Sequence, residues 1–204
     1  YTTLACDVLA RFKRLDGYDV HFLTGTDEHG QKIETAAAAA GLPPQAFTDK
    51  VSQSFRDLIG VMNYSPDNFI RTTEPRHYAA CQALWEKLVA AGRIYEGKYA
   101  GWYSVRDETY FVEGETEVGP DNKRRATSTG AEVQWVEEPS YFFRLSAWAD
   151  RLLEYYEKNP AFIGPDSRRN EVMSFVKGGL QDLSVSRTSF SWGIPVPGDS
   201  RHIM

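Results

Sequence analysis

Residues 17 to 41, GYDVHFLTGTDEHGQKIETAAAAAG, set a short apolar run between two glycines and follow it at once with an alanine-rich segment. Val20–His21–Phe22–Leu23 is partly β-branched or aromatic and is bounded by Gly17 and Gly25, the pattern of a short buried strand. The alanines Ala36 to Ala40 favour helix while adding little bulk, and Gly41 suits its end, so a helix is predicted from about His29 to Ala40. A strand, a glycine turn and a small-residue helix behind it restrict the chain to an α/β layer. Upstream, Leu4, Val8, Leu9, Phe12 and Leu15 share one helical face before Gly17, which predicts a helix from Leu4 to Leu15.

Pro43–Pro44 begin another helix with Phe47, Val51, Phe55, Leu58, Ile59 and Met62 spaced by three or four. This order reads as a doubly wound α/β domain entered part-way through. Thr73 and Pro75 read as cap and first turn of a helix carrying Tyr78, Cys81, Leu84, Trp85 and Leu88, with Gly92 beyond it. From about 94 to 145 the chain is rich in Tyr, Trp, Thr, Val and Gly, as in KYAGWY and TYFV, and the polar stretch 114–132 reads as a mobile loop. Helical spacing returns with Leu145, Trp148, Leu152, Leu153 and Tyr156, and again with Val172, Phe175 and Val176. Two regions are therefore expected: residues 1–73, and residues 74–204 with a strand-rich insertion at about 94–145.

Composition excludes several classes. Cys6 and Cys81 are too few and too far apart for a disulfide framework or a four-cysteine zinc site, and read as free thiols of a reducing compartment. No apolar run approaches the roughly 20 residues of a membrane helix, so a soluble, cytoplasmic protein without membrane partners is expected. A net charge of −5 over 204 residues argues against a general polyanion binder. The chain opens at Tyr1 in a helix-like pattern and stops after GIPVPGDSR, so both ends read as cuts through a longer protein.

The chemistry concentrates in TGTDEHG. Open α/β sheets place ligands at the carboxyl ends of their strands, and Asp27, Glu28 and His29 would stand there as polar, titratable groups. The same residues also fit a plain turn whose acids cap the next helix.

FLTGTDEHGQKI with AAGLPPQAF, then NYSPDNFIRTTEPRH, SYFFRLSAWADRLLEYYEKNP, RRNEV and LQDLSVSRTSFSWGIPVPGD together resemble the methionyl-tRNA synthetases of class I, collinearly over essentially the whole chain. The resemblance implies part of a Rossmann-type catalytic domain interrupted by a connective-peptide insertion. It also implies ATP-dependent activation of L-methionine to methionyl-adenylate, followed by transfer to tRNA(Met), with ATP bound as its Mg2+ complex. The family's two ATP signatures, HIGH and KMSKS in one-letter code, are absent from these residues, so the fragment alone is expected to be inactive. Residue by residue, the resemblance implies that Asp7, in TLACDV, contacts the methionine ammonium and that Arg187, in SVSR, serves amino-acid binding and activation. It places Asp27, Glu28 and His29 at the active-site strand end as shapers of the pocket. A carboxylate suits an ammonium, and a planar guanidinium suits a carboxylate or phosphate.

One departure concerns metal. Many relatives carry a zinc knuckle opening with Cys-x-x-Cys, whereas GWYSVRDETYF puts Ser104 and Asp107 at those positions. The insertion therefore resembles the zinc-free form, with aromatic packing from Tyr99, Trp102, Tyr103 and Trp135. Two basic clusters, Lys123–Arg124–Arg125 and Arg168–Arg169, could steer the tRNA acceptor arm or could simply be solvated. The rival readings are a class I synthetase for a branched-chain amino acid, disfavoured by the short insertion, and a non-catalytic RNA-binding module derived from a synthetase. Metal analysis of the purified protein is expected to find no stoichiometric zinc.

Overall fold

A computed structural model describes residues 1–204. The chain divides into two compact units: Tyr1–Leu84 with Val105–Asp107 and Phe190–Ile194, and Trp85–Ser104 with Glu108–Ser189 and Pro195–Met204.

The first unit begins with helix α1 (Thr2–Leu15), then strand β1 (Leu23–Thr26), helices α2 (Gln31–Ala39) and α3 (Pro44–Val61), and strand β2 (Asn68–Arg71). β1 and β2 pair in parallel, from Leu23 opposite Asn68 to Thr26 opposite Arg71. Parallel strands need a crossover, and α2 with α3 supply it. The ladder starts at Leu23, later in the chain than the apolar run that announces it. Phe22 is buried; its N–H donates to the Asp67 carboxylate at 2.6 Å, and its carbonyl accepts from Asp67 N–H at 2.8 Å and from Asn68 N–H at 3.4 Å. Gly25 lies inside the ladder because a Cβ there would strike the Ile70 carbonyl oxygen. Ala37 of α2 is fully buried, and α2 packs against α3.

Helix α1 departs from its amphipathic pattern. Leu4, Val8, Leu9, Phe12 and Leu15 are all exposed, and the buried residues are Asp7 and Ala10. What faces inward is the polar edge: Arg11 donates to the Asn63 carbonyl, and Arg14 reaches Ser65 Oγ at 2.9 Å and Asp67 at 2.7 Å.

The division between the units falls at Leu84–Trp85, inside helix α4 (Pro75–Ala90). The reason is that its two ends have different partners. Arg76 donates to Asn68 Oδ1 at 2.9 Å, whereas Trp85 joins a core with Ile94 and Val196 in the second unit. Thr73 is not the helix cap that spacing predicts, since its hydroxyl is committed elsewhere, and the Glu74 carbonyl accepts the first helical N–H groups.

The second unit is built on β3 (Ile94–Ser104) paired antiparallel with β7 (Gln134–Phe143) over ten residue pairs. β4 (Thr109–Phe111) flanks β3 and β8 (Leu183–Ser184) flanks β7, giving the order β4-β3-β7-β8. Aromatic rings line this sheet: Tyr99 and Tyr103 lie 4.0 and 4.7 Å from Tyr110, and Trp102 meets Trp135 edge-on at 5.3 Å. Such pairs favour offset or edge-on contacts at these separations. The polar stretch expected to be a loop instead forms a hairpin of β5 (Thr116–Val118) and β6 (Arg124–Ala126), where Arg124 lies 4.4 Å over the Trp102 ring. Helices α5 (Ala149–Lys158) and α6 (Asp166–Lys177) follow, and β9 (Pro195–Val196) pairs with β10 (Asp199–Ile203) near the end. No helix is long and apolar enough to cross a membrane.

Gly25→Ala is expected to lower stability by about 1–3 kcal/mol, because the added methyl forces β1 and β2 apart. Thermal unfolding monitored by circular dichroism measures it.

Candidate active site

The chain leaves the β1–β2 ladder after Thr26, and Glu28 then turns inward. Its carboxylate is buried and meets four donors: Thr26 Oγ1 at 2.6 Å and Arg71 Nε at 2.8 Å on one oxygen, Arg71 Nη2 at 2.8 Å and Thr73 Oγ1 at 2.6 Å on the other. Its N–H donates to Thr72 Oγ1 at 2.9 Å, and its carbonyl accepts from Trp192 Nε1 at 2.5 Å. A carboxylate taken out of water is tolerated only when its oxygens are satisfied this completely. Burial pushes the Glu28 carboxyl up, but Arg71, Thr26 and Thr73 together outweigh it and hold it below its ordinary range. The Arg71 guanidinium is correspondingly more firmly protonated, first by Glu28 and then by Asp49, which it reaches at 2.7 Å.

Two neighbours complete the strand end. Gly30, with φ of 105°, opens α2 in a conformation that side chains resist, and donates its N–H to the Trp192 carbonyl at 3.1 Å. His29 hydrogen-bonds through Nε2 to Tyr78 Oη at 2.9 Å, its ring 5.5 Å from that of Trp192. Burial lowers the His29 pKa below its ordinary value near 6.5, with Asp27 pulling the other way, so the imidazole is neutral at pH 7.

Asp27 differs from both. It is exposed, and its one hydrogen bond is a long 3.5 Å contact from Thr72 Oγ1. A cavity of about 370 Å3 opens beside it, walled by Thr26, Asp27, Glu28, Phe47, Val51 and Phe55. The strand end therefore holds one carboxylate locked inside and presents the adjacent one outward with acceptor capacity to spare.

Asp7, where an ammonium contact is expected, occupies a different setting. It is buried on α1, accepting from Ser65 N–H at 2.6 Å and Ser65 Oγ at 2.7 Å on one oxygen and from Arg11 Nε at 2.7 Å on the other. Burial raises its pKa, and the bonds from Ser65 and Arg11 bring it below the ordinary value. This carboxylate pins α1 to the segment before β2.

Arg187 belongs to the second unit. Its backbone bridges Ile203 in both directions, at 2.9 and 3.0 Å. Its Nη1 donates to Ser184 Oγ at 2.6 Å and to the Ser186 carbonyl at 2.8 Å, and its guanidinium lies 5.3 Å from the Tyr110 ring centre. Glu138, buried, is 3.9 Å from Nε and is held by Thr188 N–H and Oγ1 at 3.2 and 3.1 Å. No hydrogen bond from Nη2 accompanies these, and the side chain is one-quarter exposed.

The basic clusters are largely paired within the chain: Lys123 with Glu132 at 2.7 Å, Arg124 with Glu113 at 2.7 Å, Arg125 with Asp121 at 2.5 Å and Arg168 with Glu171 at 2.5 Å. Arg169 donates to the Tyr156 carbonyl at 3.3 Å. Sequence spacing gives no sign of Arg71, Thr73, Tyr78 or Trp192, which lie 43 or more residues from their partners around Glu28 and His29.

A family model described as tRNA synthetases class I (M) matches residues 1–204. Methionine–tRNA ligases of Mesorhizobium japonicum and Rickettsia prowazekii are 59% and 58% identical over the whole chain, which spans 39% of each. A crystal structure of the Mycobacterium tuberculosis methionyl-tRNA synthetase bound by methionyl-adenylate is 55% identical, superposes with a TM-score of 0.92, and is covered over 40% of its length by 99% of this chain.

Glu28→Gln is expected to cost about 3 kcal/mol, since it leaves the partly buried Arg71 guanidinium without half of its charge pairing. The Glu28 pKa is lower folded than unfolded, so its stabilisation is complete above the ordinary carboxyl value near 4.5 and is lost as pH falls through the folded pKa. Thermal unfolding from pH 7 to pH 3 should show this loss in the parent and a shallower dependence in the variant.

Proposed function

Because the chain belongs to the class I tRNA synthetases of the methionine type, we propose that it forms the middle of a catalytic region that activates L-methionine with ATP and charges tRNA(Met). The methionine carboxylate forms a bond to the α-phosphorus as the bond to the bridging oxygen of pyrophosphate breaks. A hydroxyl of the terminal tRNA adenosine then takes the methionyl group, and AMP leaves. Both substrates of the first step are anionic, so the protein's work is alignment and charge compensation.

The observation that carries this reading is the strand end. Glu28, held by four donors, fixes the backbone from which Asp27 projects into solvent beside a cavity. Asp27 is the exposed carboxylate with capacity for the methionine ammonium, and Asp7, buried and bonded to Ser65 and Arg11, is a tether for α1. Arg187 offers its unbonded Nη2 to a carboxylate or phosphate oxygen. His29, neutral and bonded to Tyr78, shapes the wall and carries no charge to it.

ATP enters as its Mg2+ complex. Ser104 and Asp107 at the knuckle positions are the ground for an insertion without structural zinc. We place the protein in the cytoplasm, with translation.

The test is methionine-dependent ATP–pyrophosphate exchange by the full-length protein. Asp27→Asn is expected to raise KM for methionine about 10- to 100-fold, the worth of a charge-assisted hydrogen bond. Asp7→Ala is expected to lower the melting temperature while leaving KM near the parent value. An Asp7 variant that melts normally but binds methionine poorly would return the ammonium to Asp7.

A further inference from the structure

Arg187 is held by a buried relay whose far end is a histidine that the proposed chemistry does not use. His202 is fully buried. Its Nδ1 lies 2.9 Å from Ser186 Oγ, its ring meets Tyr141 edge-on at 4.9 Å, and its Nε2 has no hydrogen-bond partner. The nearest acid, Asp199, is 3.9 Å from that nitrogen and is already occupied by Arg201 and Tyr141. A buried, unpaired ring donor costs free energy. A leucine or phenylalanine would avoid that cost, so something else at Nδ1 must require the imidazole.

The direction of the hydrogen bonds identifies the requirement. Ser186 Oγ accepts from Tyr141 N–H at 2.9 Å, and the only acceptor within reach of its own hydroxyl proton is His202 Nδ1. Ser186 Oγ therefore donates to His202 Nδ1, which places the ring proton on Nε2. Beside Ser186, Ser140 Oγ lies 2.9 Å from the Ser186 carbonyl and 2.6 Å from Ser184 Oγ. Arg187 Nη1 donates to both ends of this arc, the Ser184 hydroxyl and the Ser186 carbonyl. Each serine has one proton, so Arg187 donates to Ser184, Ser184 to Ser140, Ser140 to the Ser186 carbonyl at 2.9 Å in preference to the Tyr141 carbonyl at 3.2 Å, and Ser186 Oγ to His202.

We infer that His202 is a positioning residue for Arg187. It fixes Ser186, and through Ser186 and the Ser140–Ser184 pair it sets the direction in which Arg187 Nη2 is presented to substrate. The inference rests on the proposed role of Arg187, and the test separates the two.

In the full-length protein, ATP–pyrophosphate exchange is measured for His202→Phe, His202→Asn, Arg187→Ala and the double variant His202→Phe/Arg187→Ala. His202→Phe keeps the ring and removes the acceptor, and is expected to lower kcat/KM about 10- to 100-fold, as a small misplacement of a substrate-aligning group does. Asn places an acceptor oxygen close to Nδ1, so His202→Asn should recover most of that loss. In the Arg187→Ala background the Phe substitution should add little, because its effect passes through the arginine. If Arg187→Ala retains parental activity, the underlying assignment of Arg187 fails. If Arg187→Ala collapses while His202→Phe is silent, or its loss is fully additive, or Asn gives no recovery in a protein that melts as the parent does, the positioning role fails.

Discussion

The first unit depends on one buried ion pair. Glu28 and Arg71 close the ends of two parallel strands that share only four residue pairs. Arg71 is the last residue of β2, and its fork meets both Glu28 oxygens at 2.8 Å. A two-stranded ladder is weak by itself. Here the loop after β1 is bonded to the residues that end and follow β2, so the strand end is more constrained than the ladder that leads to it. Adjacent acids behave differently at this end: Glu28 turns in to the Arg71 fork, which also reaches Asp49 at 2.7 Å, while Asp27 stays exposed.

Much of this architecture is readable in the sequence because it is local. The alanine run, the prolines at the start of α3 and the aromatic texture of β3 and β7 each act through near neighbours, and those elements stand where periodicity puts them. Other parts are governed by distant partners. β1 starts at Leu23, not Val20, because only from Leu23 onward does β2 lie alongside, and no reading of residues 17–25 contains β2. The apolar stripe of α1 gives the helix correctly and its inward face wrongly, because Arg11, Arg14 and Asp7 find polar partners between residues 63 and 67.

The candidate site divides along the same line. TGTDEHG draws attention by composition, and the side chains there do gather at a strand end. Which acid is locked and which is presented depends on Arg71, Thr73 and Trp192, whose positions spacing does not connect to it. Asp7 shows the converse. A residue-by-residue resemblance can name a carboxylate, but its burial and its bonds to Ser65 and Arg11 are set by the fold. The basic clusters make the same point, since Glu113, Asp121, Glu132 and Glu171 meet most of their charges.

Arg187 splits its labour within one side chain. Nη1 is tethered to the serines and Nη2 is left unbonded, about 2.3 Å away across a rigid, flat group. The tether therefore sets the bearing of the working nitrogen without competing for it. A lysine carries the same charge on a single nitrogen, which would have to leave the serines in order to serve a ligand. At this position the useful property is thus less the positive charge than the stiffness of the plane that carries it.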